Sequence, residues 1–239
     1  MRFIENAILR STMRARIEGP LKINKELFST FLSLPEDPLP EFEGPAGYLR
    51  GRSKDHPRYA RWMHAFVKFF KPNIAVEVGT NAGGSAIGIA KAMAENGKGR
   101  LICIDNGEGM PKCFPRMAEQ NIRSTGLKEE RLDLICEDSQ TAIPRIASQL
   151  KKKVDVYLVD AAHSFEAALT DIENALPMMR PKGFILVHDV DPDLDLGDEV
   201  STGHSSPVYE AFHRVVKTHD LRWCRLKFIR KHLGIMLIN

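Results

Sequence analysis

Cysteine is scarce in this sequence, four in 239 residues, and none of Cys103, Cys113, Cys136 and Cys224 forms a C-x-x-C pair. A disulfide-stapled secreted fold and a cysteine-based zinc site are thereby disfavoured. Cys103 and Cys136 stand within apolar, strand-like runs, which predicts reduced, mostly buried thiols of a cytoplasmic protein. No stretch approaches the ~20 apolar residues of a membrane span. The opening Met1 to Ile17 lacks the uninterrupted apolar core of a signal peptide. Charge of one sign is not in excess either: Lys+Arg 34 against Asp+Glu 31, a formal +3, gives no basic surplus for a nucleic-acid backbone. Internal repeats and low-complexity tracts are missing. What remains is ordinary globular composition, 43% hydrophobic and 27% charged, in a length that suits one α/β domain with a full core.

Residues 1–58 read as a helical N-terminal cap or arm. Phe3, Ile4, Ala7 and Ile8 recur at helical spacing, with Arg2, Arg10, Arg14 and Arg16 among them. Glu5 and Glu18 interrupt the basic face, which favours packing on the domain itself or on a second subunit, as in a homodimer, over a membrane surface. Leu34 to Pro40 is Pro-rich, and Gly44-Pro45 and Gly47 are turn signals. From Tyr59 the pattern becomes regular: Trp62, Phe66, Phe69 and Phe70 predict a helix that ends at Lys71-Pro72.

Residues 59–239 form the main domain. Short β-rich runs at Ile74 to Val78, Arg100 to Asp105, Leu132 to Cys136, Val154 to Asp160 and Phe184 to Asp189 alternate with helical periods. That alternation is the sign of a parallel sheet covered on both faces. The clearest helix follows Asp160, with Phe165, Ala168, Leu169, Ile172, Leu176 and Met179 on one stripe, ended by Pro181 and Gly183. A helix at Val208 to Lys217 then leads to two runs, Leu221 to Phe228 and Leu233 to Ile238, close enough to pair as an antiparallel hairpin.

The most informative segment is Ile74-Ala-Val-Glu77-Val-Gly79-Thr80-Asn81-Ala-Gly83-Gly84-Ser85, a strand, a glycine-bearing turn and the start of a helix. Glycines let the backbone approach a ligand and adopt positive φ, and a helix N-terminus offers unpaired N–H groups. A dinucleotide fingerprint would need glycines at 79, 81 and 84, but position 81 is Asn. With no Tyr-x-x-x-Lys either, an NAD-dependent oxidoreductase is disfavoured. A nucleotide-phosphate loop would need a Lys after the glycines, and none follows Gly83-Gly84.

Glu77-x-Gly79-x-x-x-Gly83 resembles motif I of the class I methyltransferases, which use S-adenosylmethionine. The resemblance implies a Rossmann-like three-layer sandwich, with a seven-stranded, mostly parallel sheet whose last strand is antiparallel. It also implies a cofactor site built from Glu77, Gly79, Thr80, Asn81, Gly83 and Ser85. Asp105, 26 positions beyond Gly79 at the end of the second strand, would accept from the ribose hydroxyls. Asp138 and Ser139 fall where relatives contact adenine, although Asp138 also suits a helix N-cap. Asp160, at the end of the fourth strand, belongs to the same cofactor edge.

The endings Asp160-Ala-Ala-His163 and His188-Asp189 resemble the metal-dependent small-molecule O-methyltransferases, including the cephalosporin-hydroxylase-like, macrolide-sugar and catechol types. In those enzymes the carboxylates matching Asp160 and Asp189 hold a divalent cation, usually magnesium. Here His188 would be the third ligand, at a position often acidic in relatives, and Val190 stands where catechol-type enzymes have Asn. An imidazole suits manganese, iron or zinc better than magnesium. Along a regular strand His188 and Asp189 would point to opposite faces. His163, three after Asp160, takes the place of a lysine thought to deprotonate the acceptor, a step open to an imidazole near neutral pH. The expected reaction is therefore methylation of a small-molecule hydroxyl, with Asp160 and His163 at its centre. A fold that binds the cofactor without turnover is the alternative from outside enzymes.

Overall fold

The computed structural model describes residues 17–33, 56–108, 114–193, 206–227 and 232–239. The amphipathic pattern at Phe3 to Ile8, the Pro-rich stretch after Leu34 and Cys113 lie outside these residues.

Among the described residues eight strands form one sheet: β1 Ile17–Glu18, β2 Ile74–Val78, β3 Arg100–Asp105, β4 Leu132–Cys136, β5 Val154–Val159, β6 Met179–His188, β7 Arg222–Leu226 and β8 Leu233–Leu237. Their order is β1-β7-β8-β6-β5-β2-β3-β4. The five strands from β4 to β6 are parallel, and β8 enters antiparallel beside β6 and pairs antiparallel with β7. The expected Rossmann-like sheet is present, with one strand more than the seven expected. Two residues, Ile17 and Glu18, pair antiparallel with Leu226 and Arg225 at the edge. They are too few to show a period in sequence.

The helices are α1 Lys25–Ser33, α2 His56–Phe70, α3 Ala86–Asn96, α4 Arg116–Arg123, α5 Ser139–Leu150, α6 Phe165–Ala175 and α7 Pro207–Thr218. Alternation along each strand sends neighbours to opposite layers. Ala75, Leu101, Cys103 and Leu158 join Leu27, Phe31, Trp62, Phe66 and Met93 from α1, α2 and α3. Val76, Val78, Ile102, Tyr157 and Val187 join Ile143, Ile172 and Phe212 from α5, α6 and α7. Side chains capable of chemistry therefore collect at the carboxyl ends of the parallel strands, where the backbone leaves both layers.

Two details depart from expectation. The helix after Asp160 stops at Ala175, and Met179 opens β6 instead of closing the helical stripe. Met179 pairs with Val154 and Phe184 with Val156, so Arg180 to Gly183 form an irregularity that Pro181 and Gly183 accommodate. Cys103 and Cys224 are buried, whereas Cys136, at the end of edge strand β4, is exposed. An edge strand has no neighbour on one side, and its last residue has left the layer.

Candidate active site at the carboxyl edge of the sheet

The turn between β2 and α3 is shaped from within. Glu77 is fully buried and accepts from the hydroxyls of Thr80, at 3.0 Å, and Ser85. Burial favours the neutral acid and pushes its pKa up to about 7, against the opposing pull of those two hydroxyls. Three of the residues expected at the cofactor are thus spent on one another, holding the turn closed. Gly79 has φ +84, and a Cβ there would lie 2.0 Å from the carbonyl oxygen of Asp160. Only glycine allows this approach. Gly83 and Asn81 also take positive φ, and the Asn81 N–H donates to Asp105 at 2.8 Å. The other Asp105 oxygen accepts from Gly107 N, also at 2.8 Å. Asp105 closes the far side of the turn and sits, half-buried, at the rim.

Asp138 is the N-cap of α5, its carboxylate accepting from Gln140 N at 2.8 Å. Ser139 is the first residue of α5. Both lie next to the end of β4, at the edge expected, and Asp138 is engaged in shaping the helix start.

The second cluster follows β5 and β6. Asp189 takes φ +63, so the strand has already turned after His188. This overturns the regular-strand expectation: the two side chains do not diverge but meet, with His188 Nδ1 at 3.0 Å from Asp189 Oδ1. The same nitrogen lies 3.0 Å from Asp160 Oδ1. His163 Nε2 lies 2.7 Å from Asp189 Oδ2. Asp189 is 1% exposed and His163 37%, so a buried carboxylate backs an imidazole that faces solvent. Burial opposes charge on His188, but Asp160 and Asp189 outweigh it and push its pKa up to about 10.

Asp160, His163 and Asp189 each offer a ligand atom, all within 4.8 Å of one another. The expected metal set named His188; among the described residues the grouping with ligand spacing contains His163, while His188 Nδ1 lies 3.0 Å from an oxygen of each carboxylate. Sequence reasoning missed Tyr59 of α2, whose ring stacks on His188 with centroids 4.4 Å apart and planes at 29°. An aromatic at the start of a helical period reads as core, and Tyr59 is indeed buried; nothing in the pattern tied it to β6.

An open α/β sheet with a glycine turn at β2, an acidic residue closing β3 and an acid–imidazole cluster after β5 and β6 is the architecture of a class I methyltransferase. Residues 76–190 match the family model described as a methyltransferase domain. That match bears out the resemblance carried by Glu77, Gly79 and Gly83, which all lie within the matched segment. No curated protein matches the chain in sequence. Among solved structures the fold is similar to a Podospora anserina methyltransferase bound to S-adenosylhomocysteine, at 15% identity, TM-score 0.61, covering 99% of this chain and 96% of that one. It is similar to the O-methyltransferase TomG of Streptomyces achromogenes, in complex with S-adenosylmethionine, at 17% identity and TM-score 0.58 over 92% of each chain. A Bacillus cereus O-methyltransferase in complex with S-adenosylhomocysteine shares it at 15% identity and TM-score 0.59 over 100% of both.

Proposed function

We propose that the chain transfers the methyl group of S-adenosylmethionine to a hydroxyl of a small molecule. The observation that carries this reading is the contact of Gly79 with Asp160: the cofactor turn and the acid–imidazole cluster abut, as they must if a methyl group is to pass from one to the other. The bound cofactor supplies the electrophilic methyl. The protein supplies position and a base. With Nε2–H donated to Asp189, His163 carries its basic lone pair on Nδ1 and takes the proton of the acceptor hydroxyl, while the buried carboxylate stabilises the imidazolium that forms. The acceptor oxygen bonds to the methyl carbon as the sulfur–methyl bond breaks. Asp160 stands between the two halves and orients the hydroxyl. Asp105, at the rim of the turn, takes the ribose.

The donor set does not fit magnesium, since one of its three members is an imidazole. Its carboxylates are moreover held by His188 and His163, and the groups that position the acceptor and take its proton are the protein's own. The buried thiols Cys103 and Cys224 suit a reducing compartment such as the cytoplasm.

The test is calorimetric titration of the protein with S-adenosylhomocysteine, alongside NAD, repeated with Asp105→Ala. Binding of the adenosyl ligand alone, weakened at least tenfold by the substitution, is expected. An isotherm with NAD and none with S-adenosylhomocysteine sinks the proposal.

A further inference from the structure

We propose that His188 is a positioning residue that takes the place of a divalent cation between Asp160 and Asp189, so that this acceptor site works without one. The inference rests on the methyltransferase reading above and deepens it.

A cation shared by two carboxylates sits between their oxygens. Here that place is taken by one ring nitrogen, His188 Nδ1, 3.0 Å from Asp160 Oδ1 and 3.0 Å from Asp189 Oδ1. Two acidic side chains brought this close repel unless something positive or hydrogen-donating lies between them, and an imidazole that hydrogen-bonds Asp160 and, once protonated, faces Asp189 at 3.0 Å meets that need. The ring is fixed from outside the cluster. Tyr59 stacks on it at 4.4 Å and is itself 4% exposed, so His188 cannot swing out without opening the contact between α2 and the end of β6. The remaining Asp189 oxygen is directed at His163, 2.7 Å away. Asp160, His163 and Asp189 keep a spacing that an ion could span, but to admit one, the His163–Asp189 pair would have to part. In this arrangement that pair is the base.

The consequence is a division of labour among the four side chains. His188 neutralises and spaces the carboxylates, Asp189 orients His163, and His163 receives the proton.

The experiment is a manganese(II) titration of the metal-stripped full chain with S-adenosylhomocysteine present, followed by electron paramagnetic resonance, in which bound manganese loses the sharp signal of the free ion. The wild-type chain is expected to leave the signal unchanged into the millimolar range. His188→Glu, which returns a carboxylate to the position, is expected to sequester one manganese per chain. Stoichiometric uptake by the wild type, abolished in Asp160→Asn, overturns the proposal. So does a His188→Glu chain that melts cooperatively and binds S-adenosylhomocysteine yet takes up no manganese. Should His188→Glu not fold, the wild-type and Asp160→Asn titrations still decide. Adenosyl-ligand binding is read on the same samples, so its loss in the wild type counts against the methyltransferase reading and not against the role of His188.

Discussion

At the scale of single residues, Gly79 and Asp189 do the most with the least. Each takes a positive φ, and each turn brings together groups distant in sequence. Gly79→Ala places a methyl group 2.0 Å from the Asp160 carbonyl oxygen on top of the backbone strain, itself about 1–3 kcal/mol. Gly83→Ala meets only strain, its nearest neighbour being Ala118 at 3.5 Å. The expected outcome is a graded one: Gly79→Ala loses S-adenosylhomocysteine binding by calorimetry and melts well below the wild type, and Gly83→Ala is milder in both. Equal effects would show that the approach to Asp160 is not what Gly79 is for. The glycine was legible in the sequence because its spacing from Glu77 and Gly83 belongs to a recognisable motif. The turn at Asp189 was not, since a left-handed aspartate has no composition signal, and so the meeting of His188 with Asp189 came out as a divergence.

At the scale of elements, the β2–α3 turn is held by a carboxyl group that burial keeps protonated. Glu77 has a pKa of about 7 in the fold against an ordinary 4.5. A carboxyl raised in this way binds its proton more tightly folded than unfolded. Its contribution to stability is complete below pH 4.5 and is lost as the pH rises through about 7. The raised value corresponds to about 3 kcal/mol between the two ends of that window. Glu77→Gln keeps the shape and one acceptor for Thr80 or Ser85 but cannot ionise. The wild-type melting temperature is expected to fall from about pH 5 to about pH 8 relative to that of Glu77→Gln, and parallel profiles would refute the assignment. The motif placed Glu77 at the turn; what it could not tell was that both carboxylate oxygens look inward. Strand ends were readable to within a residue at β2, β3 and β4, where the β-rich runs stop at Gly79, Asp105 and Glu137. They failed at β6, where Met179 serves a helix-like stripe and a strand equally well.

For the whole molecule, the two layers are joined to the site unequally. Helix α2 carries Trp62 and Phe66 into the core and Tyr59 onto His188, so global stability and local geometry share one element. Trp62 is fully buried and meets Phe31 edge-on at 5.4 Å. Trp62→Ala should cost about 3–5 kcal/mol in denaturant unfolding. A loss under about 1 kcal/mol would mean that α1 and α2 are not part of the cooperative unit. The opposite edge of the sheet has a different character. Because β8 runs against β6, it is the beginning of β8 that lies beside His188, Leu233 pairing with His188 on one side and with Leu226 of β7 on the other. Leu226, which ends β7, and Leu233, which opens β8, are therefore ladder-bonded at the same rim as the acid–imidazole cluster.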